Sequence, residues 1–324
     1  MTVLTVTHTT TYRYRRPVRF DQHRLMLRPR DSHDLRLLDT ALSIQPPAAV
    51  RWLHDTFSNS IAMARFSEPA SELRIVSRVR LRHYPLPERS VVPEPFAARF
   101  PFRYSEEERQ DLGLLLERHH PDAGEVAAWA QAFVRAQGGA QDTGHGGAGQ
   151  GGAGQDTMAL LAGMTRHIRA SLRYERREAM GTQRPADTLA LGSGTCRDYA
   201  LLMIEAVRSL GLAARFVSGY LYDDRLTGHA GPEGQSLLAA GAQPVRRAQL
   251  AGGGATHAWV QVFLPGAGWV EFDPTNGLVG GRNLIRVAVT RDPTQAAPVS
   301  GSFHGARADY LGLDVAVSVT SEPA

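Results

Sequence analysis

The sequence predicts an α+β protein in which an antiparallel β region, read as a sandwich, precedes a region of helices followed by a sheet. Three observations support this class. Residues 1–85 are short alternating runs of apolar and polar residues separated by turns. Residues 105–210 carry helical periodicity, and residues 214–290 return to strand patterns. Strands grouped before helices, followed by further antiparallel strands, are typical of α+β architecture.

The N-terminal region, residues 1–98, is predicted to be a β domain. β-Formers alternate from residue 3 to residue 14, and further short runs with strand character follow at 24–28, 41–44, 60–64 and 73–81. Turns containing Pro, Asp or Asn separate these runs. A Pro-rich passage that begins at Pro85 then connects the domain to the rest of the chain.

Residues 99–156 are predicted to form a helical connector with a Gly-rich loop. Ser105 opens one helix, and a second spans about 124–136 with an apolar face formed by Val126, Trp129 and Phe133. Residues 138–154 repeat Gly-Gly-Ala-Gly-Gln, which is typical of a flexible loop or linker.

Residues 157–324 are predicted to form a core with C-terminal strands. One helical pattern begins at Thr157, and a second runs from Cys196 to about Leu210, where Gly211 favours a stop. Strands are predicted at 214–222, 257–264 and 269–273, with a hairpin turn at 265–268. Further strands are predicted at 283–290 and 314–319, and a second Gly/Ala-rich loop at about 228–254.

Length, composition and charge limit the classes of function that this chain can have. A chain of 324 residues can hold two domains, and its single cysteine excludes an intrachain disulfide and suits a reducing compartment. The N-terminus lacks a signal-peptide pattern, and no apolar segment reaches spanning length, so we expect a cytoplasmic protein without membrane association. The net charge of +4 comes from arginines dispersed among acids, so a nucleic-acid partner is not expected.

Cys196 follows Gly192-Ser193-Gly194-Thr195, a run of small residues that leads into a predicted helix. The thiolate is the form of cysteine that attacks a carbonyl carbon. Unpaired N–H groups and the partial positive charge at a helix N-terminus stabilise an anion there. This position therefore favours Cys196 as a nucleophile, with its own N–H as one oxyanion donor and Tyr174 or Tyr199 as weak candidates for a second.

His257 and Asp273 complete a candidate site. Strand alternation places His257, Trp259, Gln261 and Phe263 on one face, from which the imidazole is expected to project toward the helix N-terminus. The following hairpin returns the chain, which brings Asp273 beside His257 despite sixteen positions of separation. A carboxylate there would orient the ring and stabilise its imidazolium form.

Structural roles compete with these functional ones. A lone cysteine is often a small buried hydrophobe, a histidine that begins a strand is commonly structural, and Asp-Pro-Thr-Asn is by itself a good turn. A catalytic role is favoured because the three residues occur together, in this order and on compatible elements. The other histidines, including His23, His33, His145 and the pair at 119–120, lack metal-ligand spacing, so a metal site is not predicted.

Several segments resemble the bacterial transglutaminase-like superfamily, whose relatives include papain-type thiol enzymes. The core signature covers Gly194–Ala200, Ala213–Tyr220, His257–Val260 and Gly268–Asn276. The family's β-rich N-terminal domain is similar to segments around His8–Tyr14, Leu27–Arg30 and Asp55–Asn59. Departures occur where Leu201, Leu284, Thr290 and Pro293 replace residues that relatives often carry.

This resemblance implies a papain-like or transglutaminase-like core with its nucleophile at a helix N-terminus packed on an antiparallel sheet. It also implies Cys196, His257 and Asp273 as catalytic residues and amide chemistry without a cofactor. The expected partners are a protein or peptide that donates an acyl group and an amine or water that accepts it. A cysteine peptidase, isopeptidase or amidase of the same fold, and a non-catalytic peptide-binding scaffold, stay open, as does the oligomeric state.

Overall fold

The structure is a computed structural model that describes residues 2–84, 90–138, 154–175, 181–222 and 256–322. The two segments predicted to be Gly-rich loops lie outside these ranges, apart from their end residues Gly138 and Gly154. Pro85 and His145 also lie outside the described residues. The described segments include an N-terminal β region and a core of helices and a sheet.

The N-terminal β region consists of two packed antiparallel sheets. Its strands are β1 (Thr2–Phe20), β2 (His23–Arg28), β3 (Leu35–Gln45), β4 (Ala48–His54), β5 (Ser60–Phe66) and β6 (Ala70–His83). β1, β6 and β3 lie side by side in one sheet, whereas β2, β5 and β4 form the other. Leu25 and Ala62 of the second sheet share a buried apolar cluster with Leu73 and Ile75 of the first. The predicted sandwich is thereby confirmed.

Helices follow, accompanied by very short strands. The helices are α1 (Glu106–Leu112), α2 (Glu125–Gly138), α3 (Thr157–Ser171), α4 (Pro185–Leu191) and α5 (Cys196–Ser209). The short strands are β7 (Arg99–Phe100), β8 (Gln155–Asp156), β9 (Arg173–Tyr174) and β10 (Ser193–Gly194). α5 is the central helix, because it contacts α2, α3 and α4 and its residues from 198 to 208 are buried. A helix that is buried on all sides holds its first residue in a fixed place.

α5 packs on an antiparallel sheet. The strands are β11 (Ala214–Leu221), β12 (Thr256–Leu264), β13 (Gly268–Asp273), β14 (Leu278–Val279) and β15 (Leu284–Thr290), in the order β14-β13-β12-β11-β15. The predicted hairpin between β12 and β13 is confirmed, with Leu264 paired to Gly268. Val260 and Val262 join Leu202 and Met203 of α5 in the largest apolar cluster.

The end of the chain returns to the N-terminal sheets. β16 (Val299–Ser300) pairs with β2, and β17 (Phe303–His304) pairs with the end of β1. β18 (Tyr310–Glu322) then runs antiparallel to β1 over almost its whole length. The N-terminal sandwich is thus built from both ends of the chain.

The sandwich covers the face of the core sheet opposite α5. Leu4, Val6 and Leu81 share a buried cluster with Tyr220 and Ile285 of the core sheet. Two buried histidines add polar contacts there. His8 Nδ1 lies 3.0 Å from the Tyr220 hydroxyl, and His83 Nδ1 lies 3.0 Å from the Tyr222 hydroxyl. The core sheet is therefore held between a helix layer and a sheet layer.

In the described part of the chain, no helix has the length and apolar character needed to cross a membrane.

Candidate active site

Cys196 is the first residue of α5, and a capping box fixes this helix start. Thr195 is the N-cap, and its hydroxyl accepts a hydrogen bond from the Asp198 backbone N–H at 3.4 Å. The Asp198 carboxylate accepts in return from the Thr195 N–H at 2.8 Å. These reciprocal bonds satisfy two backbone donors and leave the N–H of Cys196 without an intrahelical acceptor.

The turn before Cys196 is held closely against Asp198. The same carboxylate accepts a hydrogen bond from the Gln183 backbone N–H at 2.6 Å, although Asp198 is completely buried. A Cβ atom added to Gly194 would lie 2.9 Å from the Asp198 Cβ, so the close approach requires glycine. Asp198 therefore fixes the backbone turn that positions Cys196.

His257 is hydrogen-bonded to Asp273. Its Nε2 lies 2.8 Å from Asp273 Oδ2, and both side chains are buried. The remaining lone pairs of the carboxylate are also used. Asp273 Oδ1 accepts from the Thr275 N–H at 2.9 Å, and Oδ2 accepts from the Asn276 side-chain amide at 2.8 Å. The turn after β13 thus fixes the carboxylate that holds the imidazole.

The charge state of His257 follows from these contacts. Burial alone lowers the pKa of its imidazole, but the charge and hydrogen bond of Asp273, followed by Cys196, raise it to about 10. Burial likewise raises the pKa of Asp273, and the charge of His257 with the surrounding donors brings it below its ordinary value. The arrangement therefore favours an imidazolium–carboxylate pair near neutral pH.

Cys196 lies on the other side of the imidazole. His257 Nδ1 is buried and makes no regular hydrogen bond within the described residues, yet Cys196 is near enough to raise the pKa of the ring. Nδ1 is therefore the nitrogen available to exchange a proton with the sulfur. Cys196 is buried, with 8% of its surface exposed. A substrate must therefore reach the sulfur through a small opening.

The faces of β12 differ from the expected ones. Ala258, Val260, Val262 and Leu264 pack in the α5 cluster, whereas Trp259 belongs to a separate cluster with Val217. The Trp259 indole and the Gln261 amide both donate to Glu271 rather than facing α5. His257, the second residue of β12, nevertheless lies close enough to Cys196 to interact with it. Trp259 stacks on its ring with centroids 5.9 Å apart.

The sequence only partly predicted the roles of two residues near the site, Asn276 and Tyr199. Asn276 was read as part of a turn, and no local pattern distinguishes an asparagine that closes a turn from one that also holds a carboxylate. Tyr199, one helical turn beyond Cys196, is 1% exposed, and its hydroxyl makes no hydrogen bond in the described residues. Burial raises the pKa of Tyr199 to about 12, so it is a neutral donor. Its ring contacts Tyr174 edge-on at 6.4 Å.

The His-His pair at 119–120 belongs to a separate polar cluster near the end of α5. The backbone N–H groups of His119 and His120 donate to the Glu205 carboxylate, at 3.0 and 3.1 Å. His120 Nε2 lies 2.7 Å from Asp292. These contacts give both histidines structural partners far along α5 from Cys196.

Two family models match this chain, one in the core and one in the N-terminal β region. Residues 149–274 match the family model of the transglutaminase-like superfamily. Residues 4–82 match that of the bacterial transglutaminase-like N-terminal region. The chain thus carries a transglutaminase-like core and a bacterial transglutaminase-like N-terminal region, and the resemblance recognised in the sequence is confirmed.

Curated relatives match only part of the chain. An uncharacterized protein of Mycobacterium leprae is 33% identical over 134 residues, which is 41% of this chain and 40% of that protein. An uncharacterized protein of Mycobacterium tuberculosis is 31% identical over 137 residues, 41% of this chain and 38% of that protein. The matched part thus spans about two fifths of these relatives' length.

A solved structure shares the fold. The crystal structure of a candidate cysteine protease from Cytophaga hutchinsonii superposes with a TM-score of 0.66 and covers 100% of this chain and 91% of that one. The sequence identity is 16%, so the likeness establishes the architecture alone.

Proposed function

We propose that the protein is a thiol acyl enzyme of transglutaminase type, with Cys196 as nucleophile, His257 as general acid and base, and Asp273 as the orienting carboxylate. The observation that carries this proposal is the 2.8 Å bond between His257 Nε2 and Asp273 Oδ2, which leaves Nδ1 for Cys196 at a helix start. A nucleophile, a base and an orienter in this arrangement are the requirements of thiol acyl transfer.

The proposed reaction has two half-steps. The Cys196 thiolate attacks the amide carbonyl carbon, a C–S bond forms, and the C–N bond breaks as His257 Nδ1 gives its proton to the departing amine. The product is an acyl-thioester on Cys196. An amine or water then attacks the thioester carbonyl and passes a proton to Nδ1, and the thiolate departs. Asp273 stays ionised throughout and stabilises the imidazolium.

Negative charge on the carbonyl oxygen needs hydrogen-bond donors. The Cys196 N–H is the first, because the first helical position leaves it without an intrahelical partner. The Tyr199 hydroxyl is a candidate for the second, since it is buried and makes no other hydrogen bond in the described residues. Tyr174, whose ring packs against Tyr199, is the other candidate.

The proposed acyl donor is a glutamine side chain or peptide amide of a protein or peptide, and the acceptor is a primary amine or water. The chemistry requires neither a metal nor an organic cofactor. The lone thiol must stay reduced, so we propose that the protein works in a reducing compartment, with the cytoplasm as the expected one.

Two alternatives have specific support. Hydrolysis by a peptidase, isopeptidase or amidase of this fold is favoured by the likeness to the candidate cysteine protease of Cytophaga hutchinsonii. A peptide-binding scaffold without turnover is favoured by the small exposed fraction of Cys196.

One assay separates these outcomes. The protein is incubated with a glutamine-containing peptide and a labelled primary amine, and amine incorporation is measured against peptide cleavage and deamidation. The control is Cys196→Ser, which keeps the size of the side chain and removes the thiol. Because the sequence contains no lysine, its own side chains supply no competing primary amine. Incorporation above the control supports transfer, cleavage or deamidation alone supports hydrolysis, and none of these supports the scaffold.

A further inference from the structure

A cavity lies on the opposite side of the core sheet from α5, where the N-terminal region meets it. Its volume is 390 Å³, and its walls come from the loop after β2 and from β11, β12, β13 and β15. Cys196, His257 and Asp273 do not line it. A cavity of this size fits a small molecule.

Arg215, in the wall of this cavity, has hydrogen-bond donors that are not used within the described part of the chain. The guanidinium lies 4.0 Å from the centre of the Trp269 ring, and its Nε donates to Gln261 Oε1 at 2.7 Å. These two contacts fix the plane of the guanidinium. Its two Nη atoms make no hydrogen bond and no ion pair in the described residues, although the side chain is largely enclosed. The pair of Nη donors is thus held in place and left unused.

The three arginines that line the cavity differ in whether they are paired with a carboxylate. Arg286 pairs with Glu271 at 2.8 Å and with Asp34 at 3.2 Å, so this arginine already has two carboxylate partners. Arg30 instead donates to the carbonyl oxygens of Phe57 and Ser58 and has no carboxylate partner among the described residues. Arg215 also has none within ion-pair distance.

The charges near Arg215 also affect its pKa. Burial lowers the pKa of Arg215, Glu271 opposes that shift, and the positive charges of Arg286 and Arg30 lower it further, to about 9. Arg215 is still protonated near neutral pH, and an anion in the cavity would relieve this repulsion. Asp31 also lines the cavity, and its Oδ1 accepts a hydrogen bond from the Leu37 N–H at 2.5 Å.

We propose that this cavity binds a small molecule through a carboxylate or phosphate group, held by the paired Nη donors of Arg215 with Arg30 close by. A planar guanidinium presents two parallel N–H groups that match two oxygens of such an anion. Stacking on Trp269 fixes the guanidinium beforehand, so little conformational entropy is lost on binding. This site is independent of the proposed chemistry at Cys196.

The test is calorimetric titration of the full chain with inorganic phosphate and, separately, with succinate, at constant ionic strength set with chloride. Saturable binding of either anion at millimolar concentration supports the site, and the tighter of the two identifies the preferred group. Saturation by neither overturns it.

Substitutions inside and outside the cavity test whether the anion binds there. Arg215→Gln should weaken it at least about tenfold, which corresponds to ~1.4 kcal/mol. Arg30→Gln, on an exposed loop, should weaken it less and guards against misfolding of the first variant. Arg51→Gln removes an equal charge from an exposed position on β4, outside the cavity. An equal loss of affinity in Arg51→Gln would mean unspecific charge attraction and would overturn the proposal.

Discussion

The imidazole of His257 and the carboxylate of Asp273 meet at 2.8 Å, from neighbouring strands and inside the protein. Their two strands are joined by a three-residue turn, so the pair depends on a local hairpin. Cys196, which interacts with His257, lies 61 residues earlier in the chain at the start of α5, so this contact depends on the packing of α5 against the sheet.

Asp273→Asn tests the carboxylate of this pair. Asparagine keeps the size and can still accept from the Thr275 N–H through its amide oxygen, but it removes the charge that raises the pKa of His257. We expect the rate of acyl transfer or hydrolysis to fall by about 10²- to 10⁴-fold, as in related triads. The pH dependence should also change, because less of His257 is protonated at neutral pH. Asp314→Asn, at an exposed position on β18, is the charge-matched control and should keep the wild-type rate. A rate within twofold of wild type, an estimate of about 0.4 kcal/mol, would exclude a role for the carboxylate.

Thr195→Ala tests the start of α5. The variant loses the hydroxyl that accepts from the Asp198 N–H, so we expect the free energy of unfolding to drop by about 1 kcal/mol. Urea denaturation measures the change. Thr195→Ser retains the hydroxyl and should lose less than half as much. Equal losses in the two variants would show that the methyl group, not the cap, carries the effect.

Gly219→Ala tests the packing behind His257. Gly219 pairs with His257 in the sheet, and an added Cβ would lie 2.1 Å from the Ile285 carbonyl oxygen and 2.6 Å from the Trp259 ring. Because a backbone atom cannot move aside cheaply, we expect a loss of about 3 kcal/mol or more. Gly281→Ala, where the new Cβ meets nothing closer than 3.8 Å, is the matched control and should fold normally. Similar melting temperatures for the two variants would contradict the packing.

His8→Gln tests the interface between the sandwich and the core sheet. Burial lowers the pKa of His8 to about 4, so the folded protein holds it neutral while the unfolded chain binds a proton below about 6.5. The stability from this group is complete above pH ~6.5 and is lost as pH falls toward 4. Between pH 7 and pH 5 the loss is about 2 kcal/mol.

Urea denaturation at several pH values measures this slope. Wild type should lose more stability than His8→Gln on acidification. His83→Gln should behave in the same way, because burial also lowers the pKa of His83 to about 4. Parallel pH profiles for wild type and both variants would show that these histidines are not held neutral at the interface.

Local patterns predicted much of the fold. Alternation identified β2, β5, β6, β12 and β13, and the small-residue turn identified the start of α5 at Cys196. β4 was not predicted, because two prolines precede it and its exposed residues have no clear apolar face. α4, a seven-residue helix that begins at Pro185, is too short for a periodic signal.

Local sequence patterns did not predict which distant strands pair with each other. A strand was predicted at 314–319, but nothing local indicates that β18 pairs with β1 some 300 positions earlier. The site shows the same limit. The hairpin predicted that Asp273 lies near His257, whereas the burial of Cys196 and the face of Trp259 depend on how separate layers pack.

The most direct measurement of the central claim is the rate at which iodoacetamide labels Cys196 near neutral pH, followed by intact mass. A free cysteine is only a few per cent thiolate there, and a nearby imidazolium increases that fraction. We predict stoichiometric labelling of the wild type and labelling at least about tenfold slower in His257→Ala, with His304→Ala, an exposed histidine, as control. Equal rates in wild type and His257→Ala would contradict the account, because Cys196 would then be an ordinary thiol.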